Sequence, residues 1–108
     1  RIDQQIANLN LLEYINELNL RAKIISKNVE IALIDKSKDF KDKEGYRLSL
    51  IPQTKVVENL SIQGCKYNLD GRNIYRSKTR GVSNLIKKNQ VRVSIESGLL
   101  IYVLEKLE

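Results

Sequence analysis

Val91-Arg92-Val93-Ser94-Ile95-Glu96-Ser97-Gly98-Leu99-Leu100-Ile101-Tyr102-Val103 is the stretch whose reading decides the fold class. Val91, Val93 and Ile95 alternate with Arg92, Ser94 and Glu96, the period-2 pattern of a half-buried strand. Ser97-Gly98 reads as a tight turn, because Gly tolerates the positive φ that such turns need. Leu99 to Leu104 is an apolar run, expected to return beside the first strand and close a hairpin. The polar stretch Arg80-Gly81-Val82-Ser83-Asn84 that feeds it reads as a loop, which places Ser83 and Asn84 on a loop held by rigid strands.

Working outward, the chain before this point is mostly short strands. Ala22 to Ser26 and Val29 to Asp35 flank the turn Lys27-Asn28, and Tyr46 to Ile51 is stopped by Pro52, which cannot continue a central ladder. Val56 to Gln63 follows, Gly64 marks a bend or bulge, and Lys66 to Leu69 continues to Asp70-Gly71, a turn signal. Asn73 to Tyr75 is a further short strand, and Arg76 to Arg80 a basic loop. Lys36 to Gly45 alternates charge signs with little apolar content and reads as an exposed loop. Ahead of all this, Ile2, Ile6, Leu9, Ile15 and Leu18 recur at helical spacing, which predicts a helix from about Ile2 to Glu17 with one face to bury. Asp3 lies in its first turn, where the helix macrodipole favours a carboxylate. One helix followed by roughly eight short strands at turn-rich spacing predicts a mainly β chain of the β-sandwich or jelly-roll class.

Composition removes several kinds of chemistry. With 108 residues the chain allows one domain and a modest core. There is no His, so neither a Ser/His nor a Cys/His nucleophile can operate within it, and a zinc site has too few ligands. No Walker-type lysine loop and no G-x-G-x-x-G occurs. Cys65, the single cysteine, excludes an intramolecular disulfide and suits a reducing cytoplasm, where it reads as a small buried hydrophobe. No apolar run approaches the ~18 residues of a membrane span. The chain opens on Arg1 and contains no Met, so a piece of a longer protein is expected. Nineteen Lys and Arg against thirteen Asp and Glu give a net charge of +6, read first as solvated strand faces and second as attraction for phosphates. The Tyr residues lack the interleaving with basic residues that single-strand binders show, so nucleic acid is not expected as a partner.

Several segments resemble one family. Gly81-Val82-Ser83-Asn84, a spacer, an alternating strand, Ser97-Gly98-Leu99-Leu100 and a closing strand are similar to the end of the thiamine pyrophosphokinases (thiamine diphosphokinases). Gly64-Cys65-Lys66-Tyr67-Asn68-Leu69 resembles their G-x-K-Y-P-L segment and Leu50-Ile51-Pro52 their L-x-P strand end. Arg1-Ile2-Asp3-Gln4, with Ala7-Asn8-Leu9-Asn10-Leu11-Leu12 after it, resembles the close of the family's catalytic half. The resemblance implies that residues 1–20 end an α/β nucleotide-binding domain and that 21–108 form the thiamine-binding β-sandwich. It implies pyrophosphoryl transfer from ATP to thiamine, yielding thiamine diphosphate and AMP, with Mg²⁺ as cofactor and a homodimer that binds thiamine between subunits. It also implies roles: Asp3 among the metal and pyrophosphate carboxylates, Arg1 facing phosphate, Gln4 at the same site, and Ser83 and Asn84 at the thiamine pocket. Tyr102 aligns with a position where animal members carry Trp beside thiamine, and an aromatic face attracts a cationic ring. The chain departs from the family at Asn68, usually Pro, and at Asn73-Ile74-Tyr75, usually Thr-Leu.

Each assignment has a structural alternative. Asp3 can serve as a helix-dipole partner, Ser83-Asn84 as a turn bonding its own backbone, and Tyr102 as core packing. At the level of the whole chain, the alternatives are a non-catalytic ligand-binding or dimerisation module and a basic β-domain for nucleic acid, which would show steep salt dependence.

Overall fold

The computed structural model describes residues 23–78 and 81–107. The helix expected from Ile2 to Glu17, with Arg1, Asp3 and Gln4, lies outside the described residues. Among the described residues the chain forms nine strands: β1 (Lys23–Ile25), β2 (Val29–Ile34), β3 (Ser37–Lys41), β4 (Arg47–Pro52), β5 (Val56–Gln63), β6 (Leu69–Tyr75), β7 (Val82–Leu85), β8 (Gln90–Ser94) and β9 (Leu100–Glu105). They make a five-stranded sheet in the order β1-β2-β9-β4-β7 and a four-stranded sheet in the order β3-β8-β5-β6. All pairings are antiparallel, and the two sheets enclose one core, giving the expected β-sandwich.

Strand β9 fixes this arrangement. Leu100, Tyr102 and Leu104 point into the inter-sheet core, whereas Ile101 points the other way, between Leu33 of β2 and Ile51 of β4. Ile101 is nevertheless 0% exposed. β9 takes the centre of the larger sheet, where Leu33 and Ile51 flank Ile101 on its outward face. β8 has only one apolar face, Val91 and Val93, and turns Arg92 outward, where Nη1 donates to both Asp39 carboxylate oxygens at 2.9 and 3.1 Å. β8 therefore pairs with β3 and β5 in the smaller sheet.

The expected hairpin is thereby corrected: Ser97-Gly98 is a crossover between sheets, not a turn joining neighbours. Backbone bonds to β5 hold the crossover. The Glu58 N–H donates to the Ser97 carbonyl (3.0 Å) and the Glu96 N–H to the Glu58 carbonyl (2.9 Å). The Leu99 N–H donates to Thr54 Oγ1 at 3.1 Å, and that hydroxyl donates onward to the Val56 carbonyl at 2.7 Å.

Other sequence expectations are corrected too. The charged run Lys36 to Gly45 contains a strand, β3, whose one buried side chain is Phe40. A single apolar anchor among alternating charges is too sparse for the period-2 signal to register. Asp70-Gly71 lies inside β6 rather than at a turn, where the β5–β6 register slips and Gly71 abuts Asn59 Oδ1. Bulge and turn ask for the same residue chemistry, which is why the two are confused. Lys66 to Asn68 forms a bend outside the named strands, and only Leu69 enters one.

Two glycines separate backbone strain from crowding. Gly64 and Gly45 both have positive φ, +95° and +86°, but a Cβ on Gly64 would collide with the Gln90 carbonyl oxygen while one on Gly45 meets open space. Gly45→Ala is expected to cost about 1–2 kcal/mol from the left-handed backbone alone. Gly64→Ala adds about 1–3 kcal/mol of overpacking. Urea midpoints measured at unchanged m-value check the order.

Candidate functional site

The site predicted from the sequence centres on β7, an edge strand of four residues whose one ladder partner is β4. Arg47 faces Leu85, Leu48 faces Asn84, Ser49 faces Ser83 and Leu50 faces Val82. Ser83 and Asn84 are therefore on a strand, not on the expected loop. Val82 and Leu85 are the strand's only apolar residues, too few for alternation to show. Successive side chains take opposite faces of a strand. Asn84 turns inward beside buried Leu48, and Ser83 turns outward beside Ser49.

Asn84, 5% exposed, spends its amide on backbone. Its Oδ1 accepts the N–H groups of Tyr67 (2.9 Å) and Leu85 (3.1 Å), and its Nδ2 donates to the Tyr67 carbonyl at 2.6 Å. The side-chain amide thus does for Tyr67 what the peptide group of a neighbouring strand would do. The Lys66 N–H donates to the Leu85 carbonyl (2.8 Å) and the Lys87 N–H to the Gly64 carbonyl (3.0 Å), so the segment leaving β5 seals the edge of the other sheet. Asn68, where the family pattern has Pro, accepts the Cys65 N–H on its Oδ1 at 3.1 Å and closes the bend. Tyr67 is left 61% exposed, with the Lys66 ammonium 5.3 Å from its ring centroid. Sequence reading named the Lys66-Tyr67 segment for its resemblance but did not foresee that Asn84 seats it. Only the three-dimensional register carries that signal.

Tyr102 follows its core-packing alternative. It is 1% exposed, its ring meets Phe40 edge-on with centroids 5.0 Å apart, and its hydroxyl donates to Glu30 Oε2 at 2.5 Å. Burial, and then the bond to the Glu30 carboxylate, push this phenol well above its ordinary range. Tyr102 and Ser83 lie on opposite faces of one sheet and share no site, as the registers of both with β4 require. Burial likewise pushes the Cys65 thiol up to about 11, the behaviour of a core side chain and not of a nucleophile.

Ser83 differs from both. Its hydroxyl is exposed and has no hydrogen-bond partner among the described residues. Among the described residues no group of three or more His, Cys, Asp or Glu could hold a metal ion. No helix among them is long and apolar enough to cross a membrane.

Asn84→Ala strands the Tyr67 N–H and carbonyl, and is expected to destabilise the protein by about 1–3 kcal/mol in chemical denaturation. Tyr102 gives a pH signature. Its folded pKa is raised, so its contribution is complete below the unfolded value of about 10 and is lost as pH rises through the folded value. The stability gap between wild type and Tyr102→Phe should narrow as pH is raised above about 10, measured by urea unfolding across that range.

Comparison with known proteins agrees with this fold. The family model described as thiamin pyrophosphokinase, vitamin B1 binding domain, matches residues 32–100. Thiamine pyrophosphokinase from Bacillus subtilis superposes on the whole chain with a TM-score of 0.89 at 24% identity, and the chain covers 52% of it. The Geobacillus thermodenitrificans protein gives 0.86 at 21% identity, again over the whole chain and 50% of its own length. The Candida albicans protein gives 0.76 at 20% over 99% of this chain and 41% of its own. The chain thus spans about half the length, or less, of these structures. No curated protein matches. At these identities the superpositions speak for the fold, and the family model, covering most of the sandwich, shows that the chain belongs to the thiamin pyrophosphokinase family through its vitamin B1 binding domain.

Proposed function

We propose that this chain is the thiamine-binding sandwich of a thiamine diphosphokinase, which transfers a pyrophosphoryl group from ATP to the hydroxyl of thiamine's hydroxyethyl arm and releases AMP. The observation that carries the reading is the vitamin B1 binding domain match over residues 32–100. Such a transfer depends on alignment and charge neutralisation more than on covalent chemistry by the protein. The division of labour suits a chain without His. The sandwich seats thiamine through Ser83, whose hydroxyl is open to solvent. Asn84 acts behind it by holding Tyr67. Residues 1–20 close a preceding α/β domain, in which Arg1 faces phosphate, Asp3 joins the carboxylates for Mg²⁺ and pyrophosphate, and Gln4 lies alongside. The working form is a homodimer, with thiamine between the sandwich of one subunit and the α/β domain of the other.

The full-length protein is expected to release AMP from Mg-ATP only when thiamine is present. Asp3→Asn should lower turnover by about a hundredfold or more, and the isolated 108-residue chain should release none. A full-length protein that binds thiamine yet never releases AMP replaces this reading with that of a non-catalytic binding module.

A further inference from the structure

We infer that Ser49, on β4, is a second thiamine-binding hydroxyl that works as a pair with Ser83. This inference rests on the reading of the sandwich as the thiamine-binding half. Ser49 and Ser83 are direct cross-strand partners, and both side chains point away from the inter-sheet core, because Leu48 and Leu50 on either side of Ser49 are buried in it. Directly opposed residues bring their Cβ atoms to about 4.5–5.5 Å. The two hydroxyls can therefore reach one small ligand together.

The surroundings make a hydroxyl at this position informative. Across β9 the same row runs through Val103 to Ile31 and Ile24, and the next row holds Ile51, Ile101 and Leu33. Ser49 is the place where this aliphatic face becomes polar, one strand in from the edge. Its hydroxyl, like that of Ser83, has no partner among the described residues. Beside them Gly81 carries no side chain; a Cβ there would meet the Leu50 carbonyl oxygen at 3.0 Å and Ile51 Cγ1 at 3.4 Å. The edge next to Ser83 is thus notched, with Ile51 forming its apolar wall.

A pair of hydroxyls, each able to donate once and accept twice, set against an aliphatic wall, suits a flat heteroaromatic ring with an amino group beside a ring nitrogen. In thiamine that is the aminopyrimidine. The orientation is consistent with the proposed chemistry, since the hydroxyethyl arm at the other end must face the ATP side. Ser49 is then a specificity-determining residue that touches substrate and takes no part in the transfer.

The test uses the full-length protein with thiamine and with oxythiamine, in which an oxo group replaces the amino group. Ser49→Ala is expected to raise the thiamine Kd and KM about tenfold, the loss of one hydrogen bond, with kcat, the KM for ATP and Tm unchanged. Discrimination between thiamine and oxythiamine should shrink in parallel, and Ser49→Thr, which keeps the hydroxyl, should restore most of both. The double variant with Ser83→Ala should lose less than the product of the single effects, as expected of two groups on one ligand. If Ser83→Ala weakens thiamine binding while Ser49→Ala binds as wild type does, the inference is overturned and the functional reading stands. A wild type that binds no thiamine overturns both.

Discussion

The structure depends on one strand that is out of water on both sides. β9 carries Leu100, Tyr102 and Leu104 toward the four-stranded sheet and Ile101 away from it, and neither Tyr102 nor Ile101 keeps appreciable contact with solvent. Each such aliphatic side chain contributes about 1.5–3 kcal/mol when buried. β2 and β4 flank β9 and set Leu33 and Ile51 on either side of Ile101. Once they do, the rest of the topology follows. β1 can extend the sheet only beyond β2, and β7 only beyond β4. β8, with one apolar face, is free to build the opposite wall.

That arrangement makes the chain cross between sheets repeatedly, and each crossing exposes backbone groups that need partners. Side chains supply several of them. Thr54 Oγ1 receives the Leu99 N–H at the β8–β9 crossover, Asn68 receives the Cys65 N–H, and Asn84 serves both polar groups of the Tyr67 peptide unit. Tyr102 belongs to the same economy in the core. Its hydroxyl reaches Glu30 on β2, so the ring packs on Phe40 without leaving a buried donor unpaired. Polar side chains placed at these points help two sheets share one core.

The sequence made the sandwich legible wherever alternation or an unbroken apolar run was strong. Val56 to Gln63 appears as β5 with the expected bounds, and Val29 onward and Arg47 onward emerge as β2 and β4. It misled where pattern and pairing part company. The Ser97-Gly98 signal was real as a change of direction, but local sequence cannot say whether the chain returns to its neighbour or crosses to another sheet. The long-range burial of Ile101 decides that. Phe40 alone marked β3, and Gly71 answered equally to turn and bulge. At the candidate site, the resemblance named the residues, yet the partners of each polar atom depend on register. Ser49 is the clearest case, because nothing in Leu48-Ser49-Leu50 distinguishes its hydroxyl from that of any strand serine until Ser83 is laid beside it.

The adjacent residues Ser83 and Asn84 show how a two-residue motif can hold two different requirements. A strand sends consecutive side chains to opposite faces, so the pair cannot converge on one ligand from one side. In β7 the inward member, Asn84, is consumed by Tyr67 and seals the sheet edge, while the outward member, Ser83, keeps its hydroxyl open beside Ser49. The edge must be short, because Gly64 to Tyr67 has to reach across it from the other sheet. It must also be rigid, because a slip of one residue would exchange the two faces and bury the serine. The bonds of Asn84 to Tyr67 oppose that slip. The inward residue is therefore the one that keeps Ser83 facing outward.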